Sequence, residues 1–401
     1  MKSFFSLFIF SLITSFLAYS QDSDYIKISS DVRYQYLGTY DVPLLNDILT
    51  KEVPQAIGSK VSYTPARNAV KLYKVEYISV IPEQNNRPTL ASGLIAIPDT
   101  GLKSMPMISY QHGTLYADMG VSSQPDKCFE MRLMIAQFAA QGYIVIGADY
   151  FGLGSSKEKD SYMVLKSHVQ SCYDMYEAAK DILEKEEINV QNLFVTGWSQ
   201  GGVVSMAFLE RLETLGIPVK AMGTAAAQCE GFIMANGFLS HPRKIDAEWV
   251  TMVFILTAFS FEEYYQIPGL ARGVFKEELY DVAKRVYNKD LTLEVKDYPT
   301  DLKKLIKPEY FDSNYFKQSA YGKLLLEMHP YRWDIKTPVK MCYGDADECL
   351  SVGLARLPME WQKAMGNHSV EAISMGADAT HRITYARAAI EWKKWFDSLI
   401  K

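Results

Sequence analysis

At 401 residues the chain exceeds one average domain, and its 48% hydrophobic content supports a sizeable core, which excludes a disordered protein. A net charge of −5 with no basic block along the chain excludes nucleic-acid binding. Five cysteines, Cys128, Cys172, Cys229, Cys342 and Cys349, are too sparse for a disulfide-built scaffold and lack the close spacing of a zinc site, so buried thiols or an incidental bridge both remain open.

The chain starts with Lys2, an apolar run over residues 4–18, and small residues at Ala18 and Ser20. This pattern predicts a signal peptide over residues 1–20, cleaved before Gln21, and hence an exported protein, periplasmic or extracellular. The run is shorter than the roughly 20 apolar residues of a spanning helix. A polar stretch, 21–68, leads to two strand-like segments, 71–80 and 89–98, separated by the turn residues 83–88 and read as an antiparallel pair. Alternation follows: strand 106–111, helix 131–141, strand 143–150, helix 161–187, strand 192–198, helix 200–215 and strand 219–226. Short, nearly all-apolar strands alternating with helices predict an α/β fold, a mostly parallel sheet flanked by helices on both faces.

The alternation stops near Cys229 and resumes near Pro338. The core is therefore expected over 21–229 and 338–401, interrupted by a helical cap at 230–337. Inside the cap, Thr251 to Phe261 reads TMVFILTAFSF. It fits either a buried helix in the cap's own core or a lid surface that makes transient contact with lipid. Strand 339–344, helix 351–365, strand 370–375 and helix 383–399 then complete the sheet.

The chemistry is carried by Gly197-Trp198-Ser199-Gln200-Gly201, which joins an apolar strand to a helix opening on glycines. That context is a nucleophile elbow: a serine on a sharp strand-to-helix turn, exposed where helix N–H groups favour negative charge. A serine hydroxyl needs a base to take its proton and a carboxylate to hold that base, in the order Ser, Asp, His. His381, between the last strand and last helix, fits the base, whereas His368 precedes that strand and falls at the opposite edge. Of Asp345, Asp347 and Glu348, all following strand 339–344, spacing favours Asp347, with turn or capping roles for the other two. Two amides should form the oxyanion hole: that of Gln200, and one from His112-Gly113-Thr114 after strand 106–111, most naturally Thr114, with Leu115 or Gly113 as neighbours. His112 is expected to shape that loop. The segment Asp149-Tyr150-Phe151-Gly152-Leu153-Gly154 should form a tight turn beside the site, with Tyr150 or Phe151 within reach of substrate as the alternative.

These motifs together resemble the α/β-hydrolase superfamily, especially secretory-lipase-like esterases, over about 70–229 and 338–401. The resemblance implies an ester or lipid hydrolase with a helical lid and a triad at Ser199, Asp347 and His381. Acyl transfer through an acyl-enzyme needs neither metal nor organic cofactor. The expected partner is a small-molecule or lipid ester; oligomeric state is left open. A secreted peptidase on the same fold, and a noncatalytic binding protein, are the alternatives.

Overall fold

The computed structural model describes residues 24–116 and 120–400, so the expected leader lies outside the described residues. Among the described residues ten strands form one sheet in the order β1-β2-β3-β4-β6-β5-β7-β8-β9-β10. The antiparallel part is β1 (Ile26–Lys27), β2 (Val32–Tyr40), β3 (Val70–Ile81) and β4 (Arg87–Pro98), with β4 running antiparallel to β6 (Ile144–Ala148). From β6 onward, through β5 (Ser104–Gln111), β7 (Asn189–Trp198), β8 (Ala221–Ala225), β9 (Val339–Tyr343) and β10 (Val370–Ser374), neighbours are parallel.

Every residue of β6 and β8 is buried, as a parallel strand covered on both faces requires. One face packs against the helices Leu165–Lys185 (α4), Gln200–Thr214 (α5) and Val352–Ala364 (α13). The other packs against Phe129–Gln137 (α3) and His381–Leu399 (α14), with Met131, Leu133, Trp392 and Phe396 wholly buried. Each such apolar side chain contributes about 1.5–3 kcal/mol relative to exposure.

The stretch 21–68 is not the plain polar lead-in expected from sequence. Its described part adds β1 and β2 to the sheet and then a helical run: Val42–Asp47 (α1), a π-helical turn Ile48–Glu52, and Val53–Ile57 (α2). Asp41 caps α1 by accepting the Leu44 N–H at 2.9 Å, and Gly58 ends α2 at φ 64°. Expected bounds also shift elsewhere. Helix 161–187 contracts to α4 because 161–164 are held in a turn, with Ser161 N–H donating to Phe151 O and Val164 N–H to Ser161 O. Conversely, α14 begins at His381, two residues early, because Thr380 caps it through the Ile383 N–H.

Between β8 and β9 the described chain forms no named strand but seven α-helices: α6 (Gly231–Ser240), α7 (Val250–Tyr264), α8 (Leu270–Val274), α9 (Glu277–Tyr287), α10 (Leu302–Leu305), α11 (Ser313–Gln318) and α12 (Ala320–Leu326). The run Thr251 to Phe261 lies inside α7 and is buried almost throughout, so it packs as the core of this insertion. Phe259 stacks on Phe275 and Tyr287, at ring separations of 5.7 and 5.3 Å. The insertion is tied to the loop before α4: Ser260 and Tyr264 hydroxyls donate to Tyr162 O (2.6 Å) and Lys159 O (2.7 Å), and Tyr287 donates to Asp160 O (2.8 Å). Among the described residues no helix is long and apolar enough to cross a membrane.

Candidate active site

The parallel strands all present their C-terminal ends at one edge, and the sequence-selected residues gather there. Ser199 directly follows β7 with φ 55° and ψ −120°, a left-handed backbone that a non-glycine residue adopts at a cost of order 1–3 kcal/mol. The surroundings enforce it: Ser199 N–H donates to Ala225 O at 2.8 Å, tying the elbow to β8. The flanking glycines leave no room for side chains. A Cβ at Gly197 would stand 2.2 Å from Gly201 O, and one at Gly201 only 1.9 Å from Gln111 O.

Asp347 follows β9 and is buried, accepting the amides of Cys349 and Leu350 on Oδ1, each at 2.8 Å. Its Oδ2 lies 2.9 Å from Nδ1 of His381, the first residue of α14. With Nδ1 so held, Nε2 is the nitrogen left to serve the cavity that His381 lines. The His381 ring sits between Trp198 and Trp249, at centroid separations of 5.3 and 5.8 Å. Burial alone would lower the His381 pKa, but the charge and hydrogen bond of Asp347, then Glu348 and Glu130, outweigh it and leave the imidazole raised. For Asp347, burial pushes upward while His381 and the two amides prevail, holding the carboxyl below its usual value.

Ser199, His381 and Thr114 line one cavity of about 380 Å³, together with Phe129, Glu130, Trp249, Glu348 and Arg382 among others. The amides of Gln200 and Thr114 have no acceptor among the described residues. The Gly113 amide is committed, donating to Glu130 Oε2 at 2.7 Å, which removes it from the oxyanion candidates. Tyr110 donates its hydroxyl to the same oxygen. Burial raises the Glu130 pKa, opposed by His112 and by these hydrogen bonds.

The remaining candidates take structural places. His112 is fully buried, with Nδ1 2.7 Å from Gly113 O and Nε2 3.1 Å from Asp149 O, and so shapes the Thr114 loop. Tyr150 stacks on His112 at 4.1 Å and donates to His112 O, so it and the buried Phe151 stand behind the site and not in its lining. Asp345 is exposed and accepts the Ser374 hydroxyl. His368 is exposed at the opposite edge. Glu348 accepts the His381 N–H at 2.9 Å, the helix-capping role expected for it, while its own carbonyl accepts Ala247 N–H at 3.0 Å from the insertion. All five cysteines are buried and free.

Sequence reasoning missed three participants. Gln228, after β8, donates Nε2 to Ser199 Oγ at 3.3 Å and to Cys349 Sγ at 3.4 Å. A polar residue just past a strand at the site's edge was the signal. Glu130 could have been suspected as the acid in the first turn of a mostly apolar helix. His168, inside α4, meets Gln200 Nε2 at 3.1 Å, and burial, with His112, drives its pKa down to about 3, so it stays neutral. Among the described residues no cluster could hold a metal ion.

The prolyl oligopeptidase family model matches residues 129–215, a span that contains the Ser199 elbow but neither Asp347 nor His381. No curated protein matches the chain. Among solved structures, a Legionella pneumophila protein described as a candidate hydrolase superposes with a TM-score of 0.79 at 20% identity, covering 94% of this chain and 98% of its own. The rice cell wall degrading esterase LipA from Xanthomonas oryzae gives 0.72 at 17% identity, covering 94% and 96%. Candida antarctica lipase A in its closed state gives 0.58 at 14% identity, covering 90% and 79%. The fold is that of the α/β-hydrolases, as the sequence motifs implied.

Proposed function

We propose that this α/β-hydrolase fold is a serine esterase that cleaves carboxylic esters through an acyl-enzyme on Ser199. The observation that carries the proposal is the Asp347–His381 pair at 2.9 Å, its imidazole lining the same cavity as a serine held at φ 55°. His381 Nε2 takes the Ser199 proton as Oγ bonds to the ester carbonyl carbon, and the carbonyl π electrons move onto its oxygen. The amides of Gln200 and Thr114 receive that oxyanion. Collapse expels the alcohol oxygen, which takes the proton from His381. Water repeats the sequence on the acyl-enzyme and releases the acid, restoring Ser199. Asp347 holds the ring and stabilises its protonated form throughout.

The leader-like first 20 residues support export, which N-terminal sequencing of the mature protein tests by a start at Gln21. Ser199→Ala should remove turnover and fluorophosphonate labelling while the variant stays folded; hydrolysis near the wild-type rate would exclude Ser199 as nucleophile. The prolyl oligopeptidase match favours a second reading, amide cleavage. Comparing p-nitrophenyl esters with aminoacyl-p-nitroanilides separates the two.

A further inference from the structure

We propose that Gln228 restricts the site to short acyl groups, acetyl above all, by closing the path from Ser199 into a second cavity under the insertion. The proposal rests on Ser199 being the nucleophile and adds which side of the ester is kept small.

His381 must hand its proton to the leaving oxygen, so the alcohol lies on the His381 side of Ser199. That side opens into the cavity of about 380 Å³, with room for a bulky alcohol. We place the acyl group along another wall of the serine, the one that Gln228 occupies within hydrogen-bond reach of Oγ. Beyond, Gln228 lines a cavity of only about 20 Å³, whose other walls include Met163, Met234, Phe254, Leu325 and Met328. That volume holds about one water molecule.

Two physical terms keep a longer acyl chain out. It would displace the Gln228 amide from Ser199 Oγ and Cys349 Sγ, leaving a residue only 7% exposed without partners. It would also need space that the methionine-rich pocket lacks while the glutamine fills its entrance. Methionine side chains are unbranched and adjust readily, so the pocket can widen once that entrance is open. Removing the amide should therefore join the two spaces and admit several methylenes.

The test compares kcat/KM for p-nitrophenyl acetate, butyrate and hexanoate in the full-length protein, its Gln228→Ala and Gln228→Ser variants, and Gln228→Ala combined with Leu325→Trp. Wild type should favour acetate over hexanoate by about tenfold or more, and Gln228→Ala should reduce that ratio by about tenfold or more. The added tryptophan should restore the acetate preference. Gln228→Ser carries the same expectation should the alanine variant fail to fold. A hexanoate preference in wild type, or the same profile in wild type and the folded Gln228 variants, overturns the inference. Absence of both ester hydrolysis and fluorophosphonate labelling in wild type instead overturns the esterase reading, and the inference falls with it.

Discussion

Two regions meet over Ser199 and are positioned by different means. At the sheet edge, Ser199, Asp347 and His381 each lie beyond the end of a parallel strand, and main-chain amides anchor each of them: Ser199 N–H on Ala225 O, the Cys349 and Leu350 amides on the Asp347 carboxylate, and His381 N–H on the Glu348 carboxylate. In the insertion, placement depends on side chains: Phe259 stacked among Phe275 and Tyr287, and three hydroxyls reaching carbonyls of the loop below. The difference teaches that topology places the candidate catalytic residues whereas side-chain packing shapes the access to them, the two being joined at Glu348.

The largest test of that division is Asp347→Asn, which keeps the shape but removes the charge that orients His381. Its kcat should fall by about 10⁴-fold, read with a soluble p-nitrophenyl ester. A loss below about tenfold would place Asp347 outside the machinery. Phe259→Ala should cost stability instead, about 3–5 kcal/mol by thermal or denaturant unfolding, with a far smaller factor in kcat for p-nitrophenyl acetate. A loss of activity matching that of Asp347→Asn would break the division. The pH profile sharpens it further. In the proposed mechanism His381 is neutral when it accepts the serine proton, and its pKa is raised, so activity should be lost as pH falls through that higher value. The acid limb of kcat/KM should have its midpoint above about 6.5 and fall about tenfold per unit below it. A midpoint at or under the ordinary value contradicts the Asp347 pairing. Smallest of all, His368→Ala at the exposed opposite edge should shift stability by less than about 0.5 kcal/mol and leave kcat/KM as it was.

The same division governs what the amino-acid sequence discloses. Strands β5 to β8 are legible because covered parallel strands are short apolar runs, and β3 and β4 because Val, Ile, Tyr and Leu recur on both sides of a turn; Ser199, Asp347 and His381 are legible because each falls in a segment that joins a strand to the next helix. The order of the strands across the sheet is not legible, since it depends on pairing between distant segments. β2 was missed because its Val32–Tyr40 sequence mixes Arg33, Gln35 and Gly38 among aromatics, as suits a strand exposed along much of its length. The helical run after it did carry signals, Asp41 before Pro43 and Gly58 at its end, but its polar flanks masked them. Gln228 and Glu130 carried only positional signals in the sequence; the contacts that give them their places, with Ser199 and Cys349 and with Tyr110 and Gly113, appear only in the folded chain.

Glu348 belongs to both regions at once: its carboxylate grips the backbone of His381 and its carbonyl receives Ala247 from the insertion. The insertion is thus no detachable cassette. Replacing it with a lid of another shape, to retune what enters, would tug on the turn that carries Asp347 unless the graft reproduced the Ala247 join. Engineering of access should begin from residues such as Gln228 and Phe254, and leave the seam at Glu348 as it stands.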